Sequence, residues 1–131
     1  MSKLLRWFPA IFMMAAIFIA SNTPSAKIPN YGFWDTLVKK GGHMTGYGLL
    51  AGAYWYGLGF DRKKSWLAWI LAVLYAITDE FHQSFTPGRH PSPVDALLFD
   101  GSGAALALTA IYWIRKRGKW ICEQKQETSG S

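Results

Sequence analysis

The sequence predicts an all-α fold, a four-helix transmembrane bundle with its N-terminus and C-terminus both on the cytoplasmic side. Two observations carry this. Half of the 131 residues are apolar, and they run in four blocks, from about Leu4 to Ala20, His43 to Phe60, Trp66 to Phe85 and Val94 to Ile114. Each block is near the roughly 20 residues that a helix needs to cross about 30 Å of hydrocarbon. The basic residues flank those blocks instead of lining one face. Lys3, Arg6, Arg62, Lys63, Lys64, Arg115, Lys116, Arg117, Lys119 and Lys125 fall on one side of the resulting topology, against Lys27, Lys39, Lys40 and Arg89 on the other. An excess of Lys and Arg marks the cytoplasmic side.

The formal net charge of +6 raises nucleic acid as a partner, because a basic domain neutralises phosphates. Clusters that each bracket an apolar block do not form such a surface, so no nucleic-acid partner is expected. Membrane lipids are the expected surroundings. Cys122 is the only cysteine, which excludes an intrachain disulfide and an all-cysteine metal site. It reads as a free thiol, with acylation beside the basic cluster as the alternative.

Taken in order, the first block carries Pro9 in its first turns, where a missing amide hydrogen costs least. Its basic start and the small residues Ala20-Ser21 also fit a signal peptide, but no sharp Ala-x-Ala site follows, and an uncleaved anchor is favoured. Residues 21–42, with Pro24, Pro29 and Gly32 as turn signals and Tyr31, Phe33 and Trp34 suited to the interface, read as an external loop with at most one surface turn around Asp35 to Lys40. The second span ends at the basic turn Asp61-Arg62-Lys63-Lys64. It holds Gly42, Gly46, Gly48 and Gly52, whose spacing lets another backbone approach closely in lipid.

The third span places its polar residues by arithmetic. At about 1.5 Å of rise per residue from Trp66, Asp79 lies about 20 Å along a core about 30 Å thick, so Asp79, Glu80, His82 and Gln83 fall in its outer third. Three prolines within residues 86–93 make a second external loop. The fourth span carries Asp95 and Asp100 in its outer half and Gly101, Gly103 and Ala105 for close helix contact. A membrane domain over residues 1–120 and a disordered polar cytoplasmic tail over 121–131 complete the expected organisation.

The chemistry-bearing residues therefore converge on the outer end. His43 opens span two with Tyr47 one turn below it, Asp79 shares a face with His82 and Gln83, Arg89 lies in the loop, and Asp95 and Asp100 open span four. A carboxylate in hydrocarbon costs at least about 2.5 kcal/mol even on the lenient insertion scale, so such acids face inward and meet partners, and function is the default reading. Three arrangements remain open. The bases Arg89, His43, His82 and His90 could simply neutralise the acids and register the helices. Asp79, Glu80, His82, His43 and Asp95 could hold a divalent metal such as zinc or magnesium, although no short ligand motif is present. Arg89 could grip a phosphorylated head group while a histidine or carboxylate handles protons. On these readings His43, Asp79, Glu80 and His82 are the catalytic candidates, and Tyr47, Gln83, Arg89, Asp95 and Asp100 the binding candidates. A proton or solute path is disfavoured, since little polar continues inward beyond Tyr47, Tyr75 and Thr109.

The ordered pattern His43-x-x-x-Tyr47, Tyr75-x-x-x-Asp79-Glu80-x-His82-Gln83, Phe85-x-Pro87-Gly88-Arg89 and Asp95 ahead of a glycine-rich span resembles the VanZ-like family, over Gly42 to about Ala107. The resemblance implies a small multi-pass protein of the bacterial inner membrane, in a family associated with low-level resistance to the glycopeptide teicoplanin. It makes His43, Asp79, Glu80, Gln83, Arg89 and Asp95 signature positions. Two functions follow as expectations. One is an envelope factor that binds a lipid-linked component at the outer leaflet. The other is a membrane enzyme, a hydrolase or transferase, acting on a phosphorylated lipid or polyprenyl carrier. The chain departs from the family at one point: where the family has Asn or Asp one helical turn after the position of Asp95, this sequence has Phe99, and the acid follows at Asp100.

Overall fold

A computed structural model of the chain describes residues 2–22, 33–86, 94 and 96–130. Among the described residues the fold is all-helical with four helices. A 3₁₀ turn over Leu4–Trp7 leads into α1, Phe8–Ser21, with Pro9 in its opening turn. Then come α2, Phe33–Gly57, a 3₁₀ turn over Arg62–Lys64, and α3, Ser65–Gln83. A π-helical turn over Ala96–Asp100 opens α4, Gly101–Ser129.

The second helix starts ten residues before the expected His43. Phe33 to Gly42 are helical where a loop with one surface turn was expected. Beyond Gly32 no proline interrupts the chain, and extending an existing helix is far easier than nucleating one, so the Gly41-Gly42 pair, at about 1 kcal/mol each, is carried along. The tail is a second correction: residues 121–129, expected to be disordered, continue α4. Glu123, Gln124, Lys125, Gln126 and Glu127 are strong helix formers, and α4 already supplies the nucleus. The external-loop expectations for 23–32 and 87–93 lie outside the described residues.

Helix α2 packs against α1, α3 and α4. Its residues Tyr47, Leu50, Ala51, Tyr54 and Trp55 form the core with Ala10 of α1, Ala68, Ala72 and Ala76 of α3, and Ala104 and Leu108 of α4. The alanines of α3 recur every fourth residue and so line one face. In lipid, where apolar surface gains little by burial, such small residues allow the close backbone packing that holds helices together. The seam between α2 and α4 is the tightest. A Cβ on Gly48 would lie 3.1 Å from the Gly103 carbonyl oxygen and 3.1 Å from Ala107 Cβ, and one on Gly52 would lie 2.9 Å from Ile111 Cδ1. Of the glycines expected to allow close contact, Gly48, Gly52 and Gly103 do so, whereas Gly42 faces open space.

The outside of the bundle is apolar and its inside is partly polar. Phe8, Phe12, Leu49, Leu74 and Leu106 are all more than half exposed, while Ser21, Asp79, Gln83 and Asp100 are buried. Over Leu4–Ser21 and Leu97–Ser129 the helices are long and apolar enough to cross a membrane. A strongly apolar shell around a partly polar interior departs from the pattern of a water-soluble protein and is what a lipid solvent selects.

The turn after α2 is fixed by its own chemistry. Phe60 N–H donates to the Trp55 carbonyl at 2.8 Å and Gly59 N–H to the Tyr56 carbonyl at 3.0 Å, the paired bonds of a Schellman cap, with Gly59 at φ +78°. The rings of Trp55 and Phe60 meet edge to face at 5.5 Å, and Trp55 Nε1–H donates to the Asp61 carbonyl at 2.9 Å. Gly59→Ala is expected to cost about 1–2 kcal/mol from its left-handed backbone. Thermal unfolding in detergent, followed by Trp emission, measures this. An unchanged midpoint would mean that the cap is not formed in solution.

Candidate functional site

Ser21 ends α1, Asp79 and Gln83 lie in the last turns of α3, Tyr47 lies in α2, and Asp100 closes the π-helical turn before α4. All are at most 5 % exposed. The hub is Asp79. Its Oδ2 accepts three hydrogen bonds, from Ser21 Oγ at 2.7 Å, Tyr47 Oη at 2.9 Å and Gln83 Nε2 at 3.0 Å. Gln83 Nε2 also donates to Ser21 Oγ at 3.3 Å, so the serine hydroxyl relays from the amide to the carboxylate. The other oxygen, Oδ1, is buried with no hydrogen-bond partner.

The arrangement follows from local sequence. Asp79 and Gln83 are four residues apart on α3 and so lie one above the other. The Ala76 turn beneath them is small enough to let α2 come close, and Tyr47 reaches across from there. Ser21 sits at the end of an apolar helix whose register is set lower down, where Tyr75 Oη donates to the Met14 carbonyl at 2.6 Å. A single carboxylate thereby ties α1, α2 and α3 together at one end of the bundle.

The second part of the site joins α2 to α4. His43 Nδ1 lies 3.8 Å from Asp100 Oδ1, within ion-pair range when the imidazole is protonated. The His43 ring lies parallel to that of Tyr47, with centroids 6.2 Å apart, which connects the two halves. The π-helical turn explains the shifted acid. A π turn closes its hydrogen bond over one more residue than an α turn, and such insertions recur at functional sites. The extra residue lets Phe99 remain half-buried while Asp100, one position late in sequence, becomes the buried acid facing His43. Trp69 anchors this junction by donating from Nε1 to the Gly101 carbonyl at 2.9 Å.

Of the residues singled out from sequence, His43, Tyr47, Asp79, Gln83 and Asp100 are brought together. His82, expected beside Asp79, turns toward α1 and stacks on Phe18 with ring centroids 4.6 Å apart, and its Nδ1 is buried without a hydrogen-bond partner. Glu80 is half-buried on the same turn. Arg89, His90 and Asp95 lie outside the described residues. No three His, Cys, Asp or Glu side chains converge to hold a metal ion among the described residues. Of the five residues expected as metal ligands, Asp79 and His82 turn to different neighbours, and Asp95 lies outside the described residues.

Ser21 was missed. Its sequence signal was its depth: it closes the first apolar block at the level of the acids, and a hydroxyl there can serve a buried carboxylate.

No curated protein and no solved structure matches the chain. The family model described as VanZ/LLP1 matches residues 6–115, a stretch that contains α1, α2 and α3, the first half of α4 and the polar cluster described above. The chain belongs to the VanZ/LLP1 family and is a membrane protein of VanZ type.

Proposed function

We propose that this is a multi-pass protein of the bacterial inner membrane, with four spans and both ends cytoplasmic. In this reading its polar cluster binds a polar, lipid-linked component of the envelope at the outer leaflet and thereby alters susceptibility to teicoplanin. The observation that supports a binding role is the Asp79 carboxylate. Three donors hold one oxygen, and the other oxygen is buried and unpaired, an arrangement that natural proteins rarely leave without a purpose. An incoming hydroxyl or amine would complete it. His43 and Asp100 lie beside it at the same end of the bundle, and the family signature adds Arg89 and Asp95.

The test is expression in a teicoplanin-susceptible bacterium. The wild-type chain is expected to raise the minimum inhibitory concentration, and Asp79→Asn, present in the membrane at equal level, is expected not to. No change with the wild-type chain would overturn the envelope role.

A second reading, a hydrolase or transferase acting on a phosphorylated lipid or polyprenyl carrier, is favoured by one further fact. Among the described residues, the buried polar side-chain atoms without partners, Asp79 Oδ1 and His82 Nδ1, belong to residue types that exchange protons in general acid–base catalysis. Glu80 would complete the acidic turn. Phosphate release from a polyprenyl phosphate by the purified protein, abolished in Glu80→Gln, would replace the binding reading with this one.

A further inference from the structure

Away from Asp79, toward the turn between α2 and α3, lies a second feature, which adjoins the polar cluster through Trp69. Between the start of α3 and the middle of α4 lies a crevice of about 510 Å³, lined by Trp55, Trp66, Trp69, Leu108 and Tyr112 and bounded by Arg62. A second recess of about 260 Å³ shares Trp55, Arg62 and Tyr112 with it and is rimmed by Arg115, Lys116 and Lys119. The two form one amphipathic path, apolar and aromatic toward the bundle's middle and cationic toward its end.

The cations are held in place by rings. The Arg62 guanidinium lies 4.9 Å from the Tyr112 ring centroid, between the two recesses, and Arg115 lies 4.1 Å from that of Phe60. Lys116 lies 5.3 Å from the Trp113 ring. Cation–π contact orients a charge without neutralising it. Among the described residues, Arg62, Arg115, Lys116 and Lys119 have no carboxylate partner, whereas His43 and Asp100 of the polar cluster pair with each other. The nearest acid in sequence, Asp61, accepts from Lys63 N–H through Oδ1 at 3.0 Å.

We infer that this path binds an anionic phospholipid of the adjacent leaflet, with its phosphate among Arg62, Arg115, Lys116 and Lys119 and an acyl chain in the crevice of Trp66, Trp69 and Leu108. Charge complementarity selects an anion, and basic pockets between membrane helices suit phosphate head groups. The apolar crevice continuous with the cations selects a ligand that carries hydrocarbon as well, which a free phosphate does not. Trp and Tyr at the level of the head groups fit the same interface. The inference rests on the chain being a membrane protein and is independent of what the polar cluster binds.

Native mass spectrometry of the full chain in detergent, titrated with phosphatidylglycerol or phosphatidylcholine, tests it. The wild-type protein is expected to retain phosphatidylglycerol with roughly tenfold preference, since each cation near the head group contributes to anion binding. Arg62→Gln with Arg115→Gln should bring that preference close to parity. Thr109→Phe, which fills the crevice and leaves every charge in place, should weaken retention of both lipids. Arg117→Gln, in the same basic run but outside both recesses, should change nothing. Millimolar inorganic phosphate should not displace the lipid. Equal retention of the two lipids by the wild type, loss in Arg117→Gln as large as in the double variant, or full displacement by inorganic phosphate would each overturn the site. Thermal midpoints of all the variants, expected to match the wild type because the substituted side chains are exposed, separate lost binding from lost folding.

Discussion

Asp79→Ala is expected to lower the unfolding free energy of the detergent-solubilised protein by about 2–4 kcal/mol, since a buried donor stripped of its acceptor costs about 1–3 kcal/mol. Three donors converge on Asp79 Oδ2. Intramembrane hydrogen bonds measured by double-mutant cycles average only about 0.6 kcal/mol, which keeps the total below a simple sum. Tyr47→Phe removes one of the three donors and strands nothing on α2, so its loss should be about 1 kcal/mol. Asp79→Asn keeps an acceptor for the cluster and should leave stability near that of the wild type, while altering the unpaired oxygen that the proposed ligand would meet. Thermal unfolding by Trp emission ranks the three. A midpoint for Asp79→Ala equal to that of Tyr47→Phe would show that the cluster does not act as one unit. Replacing Ser21, Tyr47, Asp79 and Gln83 together by Ala, Phe, Leu and Leu should recover part of the loss, because removing both sides of each buried polar contact strands no group.

That cluster was partly legible in the sequence. Asp79 and Gln83 were placed on one face by their spacing, and their depth followed from counting residues from Trp66. Tyr47 was placed a turn below His43, where its ring lies parallel to the imidazole. Spacing along one helix says nothing about rotation relative to a different helix, and for that reason His82, equally close to Asp79 in sequence, was placed with it although it turns to Phe18. Ser21 shows the same limit, since depth is its one signal in the sequence and its partner is 58 residues away.

Asp100 is a different case. Its offset from the family pattern left its role open, because an α-helical register places position 99 and not 100 on the site face. Only a π-helical turn reconciles the two, and that depends on the local hydrogen bonding of 96–100, which no residue in Ala96-Leu97-Leu98-Phe99-Asp100 announces. The start of α2 at Phe33 and the helical continuation to Ser129 were missed through one cause. Polar composition points to irregular chain, whereas an adjoining helix extends into such residues at little cost.

Gly103→Ala is the second large effect expected, with a loss of about 1–3 kcal/mol or more from overpacking. A Cβ at Gly103 would overlap the Met44 carbonyl oxygen and lie 2.9 Å from both Met44 C and Cα. These are backbone atoms of α2 that cannot rotate aside, so the two helices must move apart. Gly48 lies against the same seam and would lose its fit with Gly103 and Ala107. The displacement would also reach the site, because Met44 follows His43 and Gly103 is three residues after Asp100, so the 3.8 Å approach of those two side chains depends on this contact. Two other glycines act as controls. Gly52→Ala meets Ile111 Cδ1, the free end of a flexible side chain that can swing away, and should cost less than Gly103→Ala. Gly118→Ala, in α4 with nothing near it, should be neutral or stabilising by up to about 1 kcal/mol through helix propensity. The order Gly103, then Gly52, then Gly118 in loss of thermal midpoint follows from backbone contact, flexible contact and open space. If Gly103→Ala proves as mild as Gly118→Ala, α2 and α4 do not touch through their backbones, and the pairing of His43 with Asp100 must be held by something else.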